Sequence, residues 1–139
     1  MRPARRVFSG MRDITFADPA DSGLHDPAEF RPPTGAMLLI VENDETLAAG
    51  ALRRWADGIG EIKRMWTASA HRRRGHATQI LDALEDAARS IGYRSVRLET
   101  ADIQYDAISL FTAAGYRRIP DYGQYAGEPR CVSFEKALS

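Results

Sequence analysis

The spacing of apolar residues is most regular in the middle of the chain, between Gly75 and Gly92. Apolar side chains recur there every three or four positions, which places them on one face of an amphipathic helix. They fall at Ala77, Ile80, Leu81, Leu84, Ala88 and Ile91. Gly92 is placed to end this helix, because glycine readily adopts the left-handed conformation of a helix C-terminus. A second, shorter helix is predicted over residues 105–114, followed by Gly115.

Alternation of apolar and polar residues predicts strands on both sides of these helices. Ala36–Glu42 is rich in Leu, Ile and Val, and the turn residues Asn43-Asp44-Glu45 separate it from a second extended pattern, so an antiparallel hairpin is expected. The predicted strands are 36–42, 47–55, 61–67, 93–100, 116–119 and 131–136, with a short first strand over 12–15.

Two connections complete the predicted order of elements. Residues 17–34 contain four prolines and predict a loop with at most one helical turn. Short links join strand 61–67 to strand 93–100 through the long helix. These two strands are therefore expected to pair in parallel, with a right-handed crossover.

Composition limits the class of protein. The chain has 139 residues, enough for one domain, which we expect over residues 13–139 after a flexible basic leader over residues 1–12. Nineteen Lys and Arg residues balance nineteen Asp and Glu residues, so the overall charge gives no attraction to nucleic acid or acidic membranes. No apolar run approaches the roughly 20 residues of a membrane span. Cys131 is the only cysteine, and no signal-peptide pattern precedes the domain, so a cytoplasmic location is predicted. The histidines lack partners at metal-ligand spacing, so no metal site is predicted.

A basic segment at the start of the long helix is the strongest candidate binding site. Backbone N–H groups at a helix N-terminus have no partner within the helix, and the helix dipole adds about half a positive charge there. Small residues let an anion approach these groups, and arginine side chains add charge around it. The simpler alternative is a solvated basic patch. The candidate residues are Arg72, Arg73, Arg74, Gly75, His76, Ala77 and Thr78.

Two common phosphate-binding patterns fail in this segment. A P-loop requires Gly-Lys-Ser or Gly-Lys-Thr at the helix start, whereas this chain has Gly75-His76-Ala77. A Rossmann fingerprint requires three spaced glycines after a first strand, and only one is present here, in the middle of the chain. The pattern that remains is Arg72-x-x-Gly75-x-Ala77.

With its neighbours, this segment resembles the GNAT superfamily of acyl-CoA-dependent N-acyltransferases. The resemblance covers roughly residues 35–138 and rests on the 72–77 loop, on Leu98-Glu99-Thr100, on the run 107–116, and on residues 133–138. It implies an α/β (α+β) fold, in which a mixed, mostly antiparallel central sheet has a parallel strand pair at the cofactor site and flanking helices. The ligand that it implies is acetyl-CoA, as acyl donor.

The resemblance also implies roles for individual residues. The pyrophosphate of acetyl-CoA is expected on the N–H groups of residues 73–78. The backbone of Met65, Trp66 and Thr67 is expected to pair with the amide arm of pantetheine, and a backbone N–H there can polarise the thioester carbonyl. Gln104 stands where relatives often have an asparagine that bonds pantetheine. Phe111 stands where many relatives have a tyrosine that protonates the departing thiolate. Other tyrosines that could substitute are Tyr105, Tyr116, Tyr122 and Tyr125.

Acetyl transfer to an amine requires the neutral amine. An alkylammonium has a pKa of about 10, so a base or a chain of water molecules helps at neutral pH. Glu61 is the first candidate base, because many family members carry a carboxylate on this strand. The alternative is a structural glutamate paired with a neighbouring arginine. Glu99 is the second candidate.

The sequence therefore predicts an N-acetyltransferase that moves an acetyl group from acetyl-CoA to a primary amine of a small molecule or polypeptide by direct attack. The alternative is a non-catalytic acyl-CoA-binding sensor or regulatory module, which Phe111 favours. Nucleic-acid binding through residues 2–6 and 72–74 is disfavoured by the balanced charge.

The acceptor side of the site departs from the family pattern. Relatives usually place two helices between the first two strands, and residues 17–34 are too short and too proline-rich for them. The acceptor groove is then open, completed by a partner subunit in a homodimer, or covered by the loop over residues 121–129.

Overall fold

The computed structural model of the protein describes residues 6–9, 26–68 and 75–139. In this part of the chain, seven strands form one sheet and two α-helices flank it. The strands are β1 (Arg6–Ser9), β2 (Ala36–Glu42), β3 (Glu45–Ala56), β4 (Ile59–Thr67), β5 (Ser95–Ala101), β6 (Arg117–Ile119) and β7 (Cys131–Ala137). The helices are α1 (His76–Ile91) and α2 (Tyr105–Ala113), and a short 3-10 helix spans Pro27–Phe30.

The sheet is mixed and mostly antiparallel, as predicted. Its strand order is β1-β2-β3-β4-β5-β7-β6, and β4 and β5 form the one parallel pair among the described strands. The chain leaves β4, crosses over through α1 and returns in β5, which confirms the predicted parallel pair. The predicted hairpin is also confirmed, and its turn residues Asn43 and Asp44 have φ angles of 52° and 63°.

The first strand corrects one prediction. Arg6–Ser9 pairs antiparallel with β2, from Arg6 opposite Val41 to Ser9 opposite Leu38. The prediction of a flexible leader is therefore wrong for these four residues, because the open edge of β2 offers hydrogen-bonding partners to an extended backbone. The rest of the predicted leader and the strand predicted over residues 12–15 lie outside the described residues.

The apolar face of α1 packs on the sheet as its spacing predicts. Ile80, Leu81, Leu84 and Ala88 are fully buried in the main core. The helix lies close to β3, because a Cβ at Gly50 would stand 2.7 Å from Ile80 Cγ2 and 2.8 Å from Leu84 Cδ1. α1 ends at Gly92, whose φ of 107° and N–H bond to the Ala88 carbonyl form the expected left-handed cap.

A smaller cluster of Phe30, Met37 and Ala51 forms separately from the main core. The 3-10 helix that supplies Phe30 is the single helical turn expected before Thr34, while residues 17–25 lie outside the described part. None of the described helices is long and apolar enough to cross a membrane.

Candidate active site

An extra residue in β4 bends the strand at Arg64. Ala51 lies opposite Lys63 and Ala49 lies opposite Trp66, so β4 has one residue more than β3 between these pairs. Arg64 has a φ of 56°, in the left-handed region that residues with a Cβ rarely adopt. Such a bulge interrupts the hydrogen-bond ladder and turns the strand. β4 therefore changes direction in the stretch where the sequence analysis expects acyl-donor contacts.

β4 and β5 separate beyond Glu61. Among the described residues they pair at three positions, from Ile59 opposite Ser95 to Glu61 opposite Arg97. Beyond this point the two strands no longer pair with each other, although β4 continues to Thr67 beside β3 and β5 continues to Ala101 beside β7. Parallel strands that part in this way leave backbone N–H and C=O groups on their facing edges available to a ligand. A crevice opens between the two strands.

One cavity, of about 440 Å³, lies where α1 begins, and we call it the helix-end cavity. α1 starts after Gly75, which has a φ of 81° and, as a glycine, offers no capping side chain. The N–H groups of the first turn are therefore not satisfied by a side chain of the N-cap residue. The cavity is lined by Met65, Trp66, Thr67, Gly75, His76, Ala77, Thr78, Gln104, Asp106, Ala107, Leu110 and Phe111.

This lining brings together nine of the residues predicted to bind the acyl donor. Three of them come from β4, four from the start of α1, and Gln104 and Phe111 from α2 and the residue before it. Whether they bind acetyl-CoA stays a prediction. Arg72, Arg73 and Arg74 lie outside the described residues, so their predicted role also stays a prediction.

A second cavity, of about 470 Å³, lies in the opening between β4 and β5, and we call it the crevice cavity. It is lined by Ile62, Lys63, Arg64 and Met65 of β4, by Leu98, Glu99, Thr100 and Ala101 of β5, by Gln104, Ala107 and Phe111, and by Tyr125, Glu128, Arg130 and Cys131. The two cavities are adjacent, because four residues line both: Met65, Gln104, Ala107 and Phe111.

The loop between β6 and β7 walls the crevice cavity. Its residues Tyr125, Glu128 and Arg130 belong to the lining. It is held to β4, because the Tyr122 hydroxyl donates to Glu61 Oε2 at 2.6 Å and Lys63 Nζ lies 3.5 Å from Gln124 Oε1. The loop over residues 121–129 thus lines this cavity, as in the covering arrangement considered for the acceptor groove. The position of the acceptor groove and the homodimer stay predictions.

Glu61 is paired and lies outside both cavity linings. Its side chain is buried, with 2% of the residue exposed. Arg53 donates to Oε1 at 2.8 Å and Tyr122 to Oε2 at 2.6 Å, while Arg53 also bonds Glu29 at 2.9 Å. This geometry corresponds to the alternative of a glutamate paired with a neighbouring arginine. The role of Glu61 as a base stays a prediction without a cavity contact to support it.

Glu99, the second candidate, lines the crevice cavity. Its Oε2 accepts from the Tyr125 backbone N–H at 3.2 Å and lies 3.6 Å from Cys131 Sγ. Burial is the main cause that raises the pKa of Glu99, and the nearby Glu61 carboxylate adds to this effect. Perturbed carboxylates in cavities are candidates for proton transfer. The contacts of the Tyr125 backbone and of the Cys131 thiol with Glu99 were not predicted from the sequence. The only signal for the first was a loop rich in glycine and tyrosine.

Of the four tyrosines considered as proton donors, three lie outside the linings of both cavities. Tyr116 donates to Glu85 Oε2 at 2.9 Å in the core, and Tyr122 bonds Glu61. Burial, reinforced by these carboxylates, raises the pKa of Tyr116 and of Tyr122. Tyr105 is 72% exposed. Tyr125 is the one of the four that lines the crevice cavity. Within the described residues, no three His, Cys, Asp or Glu side chains are grouped so that they could hold a metal ion.

The sheet is mixed, its parallel strands separate beside a bulge, and the neighbouring helix has a glycine N-cap. This is the arrangement expected of GNAT acyltransferases. The model of the acetyltransferase (GNAT) family matches residues 7–116, and the chain belongs to this family. The predicted family and the predicted fold class are thereby confirmed.

Comparison with individual relatives supports this family assignment. The chain is 32% identical to the uncharacterized N-acetyltransferase YsnE of Bacillus subtilis (strain 168), over 95% of this chain and 89% of that protein. A Klebsiella pneumoniae structure assigned to the acyl-CoA N-acyltransferases superposes with a TM-score of 0.79 at 28% identity, covering 97% and 98% of the two chains. A Bacillus subtilis acetyltransferase solved with CoA shares the fold, with a TM-score of 0.77 at 14% identity over 98% and 100% of the chains. The protein is therefore an enzyme of the acyltransferase class, as predicted.

Proposed function

We propose that the protein transfers an acetyl group from acetyl-CoA to a primary amine of a small molecule or polypeptide by direct attack. The observation that supports this proposal is the junction of the helix-end cavity and the crevice cavity at Met65, Gln104, Ala107 and Phe111. A donor in one cavity and an amine in the other would meet at this junction. Holding two reactants together in this way removes much of the entropic cost of a bimolecular step.

The helix-end cavity fits a diphosphate. The first N–H groups of α1 have no capping side chain from Gly75, and a Cβ at Gly75 would meet no described atom within 4 Å. Such a helix start binds phosphate through its N–H groups and its dipole. Residues 73–78 would hold the pyrophosphate, with charge added by Arg72 to Arg74. The CoA bound in the Bacillus subtilis acetyltransferase of the same fold supports this choice of ligand.

The pantetheine arm would lie along β4. The backbone of Met65, Trp66 and Thr67 follows the bulge, on the stretch that has left β5. We expect a backbone N–H there to polarise the acyl carbonyl, since negative charge develops on that oxygen during attack. Gln104 and Phe111 would contact the arm from the side of α2.

Acetyl-CoA, when bound, supplies an activated thioester whose thiol has a pKa of about 8.5 and is therefore a fairly good leaving group. Phe111 has no proton to give to it. We therefore expect the residues of this chain to assist mainly by binding, by polarising the carbonyl, and by accepting the proton of the amine.

Glu99 fits the proton-accepting role better than Glu61 does. It lines the crevice cavity, and its raised pKa brings it closer to the neutral range in which a general base is most effective. Both oxygens of Glu61 are already bonded, to Arg53 and Tyr122. We assign proton acceptance to Glu99, and to Glu61 the holding of the loop that walls the crevice cavity.

The size of the crevice cavity suits a small acceptor. Its volume of about 470 Å³ lies within the roughly 300–1,000 Å³ of small-molecule sites. The same volume also admits the terminal residue or a side chain of a polypeptide. Glu128 and Arg130 are exposed lining residues, so the rim of this cavity carries charges of both signs.

The test of donor and reaction uses the purified protein and an amine panel. Acetyl-CoA should raise the thermal midpoint, and acetylated product should appear with at least one amino acid, polyamine, aminoglycoside or peptide. No thermal shift and no product with any of them would contradict the proposal.

The test of the base compares two isosteric variants. Glu99→Gln should lower kcat/KM by about 100-fold to 10,000-fold, the usual contribution of a general base. Glu61→Gln, on the neighbouring strand, should keep kcat close to that of the wild type and should raise KM for the amine, because Glu61 holds the loop that walls the crevice cavity. The opposite pattern would return the role of base to Glu61.

A further inference from the structure

The two carboxylate oxygens of Glu99 have different surroundings. Oε2 accepts from the Tyr125 backbone N–H at 3.2 Å and has Cys131 Sγ at 3.6 Å. Oε1 is buried and has no hydrogen-bond partner among the described residues. Hydrogen bonds to a carboxylate stabilise its charge at the oxygen that accepts them. The two donors therefore stabilise the ionised form of Glu99 through Oε2.

Cys131 reaches Glu99 because their strands are neighbours. In the β5–β7 ladder, Cys131 lies opposite Ala101 and Glu99 lies opposite Ser133. Residues that are diagonal to each other in an antiparallel pair share one face of the sheet and can touch. The thiol and the carboxylate are therefore brought together by strand register.

The thiol is the donor in this contact. Burial raises the pKa of Cys131 to about 11, so the group stays protonated near neutral pH. Its other polar neighbour is Ser133 Oγ at 3.9 Å, and the Ser133 hydroxyl donates to Asp121 Oδ1 at 3.3 Å. The one thiol proton then has the nearer and charged acceptor in Glu99, which forms the stronger hydrogen bond.

The backbone of Gly123 lies close to the carboxylate of Glu99. A Cβ at this position would stand 2.5 Å from Oε1, 2.7 Å from Cδ and 2.9 Å from Oε2. A side chain at this position would force the Glu99 carboxylate to shift. The loop therefore packs against the group that its Tyr125 N–H also bonds.

We propose that the Cys131 thiol and the Tyr125 N–H, which both contact Oε2, hold the Glu99 carboxylate in the position from which it takes the proton of the acceptor amine. The inference rests on the proposed function. In the step, an N–H bond of the ammonium breaks, its electron pair stays on nitrogen, and an O–H bond forms on the Glu99 carboxylate. Cys131 touches no reacting atom in this scheme and is a positioning residue.

The test removes the thiol donor and measures the titration of Glu99. Cys131→Ala and Cys131→Val lack a donor, while Cys131→Ser keeps one. Loss of a donor to the ionised form raises the pKa of the carboxyl, by about 0.5–1 unit for a weak hydrogen bond to a charged group. The readouts are the carboxyl ¹³C shift of Glu99, assigned with Glu99→Gln, and the acidic limb of the kcat/KM profile.

Other groups near Glu99 stay unchanged in these variants. Glu61 raises and Lys63 lowers the pKa of Glu99, and their effects are common to all four proteins. The remaining titratable groups close to it are Tyr122 and Tyr125 in the loop, with Glu128 and Arg130 in the cavity lining. A shift in the alanine and valine variants that the serine variant does not show therefore reports the thiol donor.

The expected result is an upward shift of both readouts in Cys131→Ala and Cys131→Val, with Cys131→Ser close to the wild type. On the acidic limb, kcat/KM should fall about 3-fold to 10-fold in the two shifted variants. Folded variants that titrate like the wild type would overturn the positioning role alone. A wild type that acetylates no amine would instead overturn the proposed function and the proton transfer together, and the ¹³C titration would still measure the positioning.

Discussion

Replacing Gly75 by aspartate and by asparagine separates charge from shape at the start of α1. Gly75 has a φ of 81°, and asparagine and aspartate tolerate this left-handed conformation better than other residues with a side chain. A Cβ would meet no described atom within 4 Å. Both residues also cap helices equally well. The two variants therefore differ by one unit of charge beside the first-turn N–H groups.

The charge should act in opposite directions on folding and on binding. In the free protein, aspartate interacts favourably with the helix dipole and should stabilise the fold by about 0.3–1 kcal/mol relative to asparagine. Two charges about 6 Å apart interact by about 2.8 kcal/mol at an effective dielectric constant of about 20. Solvent screening at the exposed Gly75 reduces this interaction energy to about half. A penalty of about 1.4 kcal/mol then corresponds to about a tenfold weaker Kd for CoA.

Isothermal titration calorimetry with CoA and with pantetheine provides the assay. CoA should bind the aspartate variant about tenfold more weakly than the asparagine variant. Pantetheine lacks the phosphates and should bind both variants equally. Equal affinity of the two variants for CoA would refute the placement of the diphosphate at α1. An equal loss with pantetheine would show that the effect is not electrostatic.

Three further predictions concern the crevice cavity. Glu99→Gln should raise the stability to unfolding at pH 7 while lowering activity. The raised pKa of Glu99 means that its ionisation costs stability as pH rises, so denaturant midpoints of variant and wild type should converge below a pH of about 4. Tyr122→Phe leaves Glu61 Oε2 without its donor, so it should cost about 1–3 kcal/mol in chemical denaturation and raise KM for the amine more than for acetyl-CoA. Tyr105→Phe, at a position 72% exposed, is its control and should change neither quantity. Phe111→Tyr adds a proton donor at the junction and should raise kcat by less than about tenfold; an unchanged kcat at saturating substrates would argue that protonation of the thiolate does not limit the rate.

The elements with strong local signals could be predicted from the sequence. The spacing of Ile80, Leu81 and Leu84 specifies the buried face of α1 without reference to the rest of the chain. The hairpin follows in the same way from two apolar runs and a turn at Asn43 and Asp44. The proposed donor side of the site is also local, since residues 75–78 are consecutive at a helix start and line one cavity.

The features that depend on distant pairing could not be predicted. The bulge at Arg64 arises from the register between β3 and β4, and no residue type marks it in an ordinary alternating stretch. β1 forms because β2 has an open edge, although its own four residues carry little periodicity.

The choice between Glu61 and Glu99 is of the same distant kind. Our proposal in favour of Glu99 rests on the loop that carries Tyr122, 61 residues beyond Glu61, and no local pattern indicates where that loop lies. Both carboxylates could therefore be named from the sequence as candidate bases, but the sequence does not indicate which of them contacts the substrate.

With the donor and the amine bound as proposed, the four residues common to the two cavities should couple the binding of the two ligands. Met65 and Phe111 line both cavities, so a conformation of these side chains that suits the ligand in one cavity also changes the shape of the other. Thermodynamic linkage then requires the effect to be mutual: the factor by which the donor changes the affinity for the amine equals the factor by which the amine changes the affinity for the donor. A substitution of Met65 or Phe111 should alter this coupling factor. A substitution on the opposite wall of either cavity should alter the affinity for one ligand only.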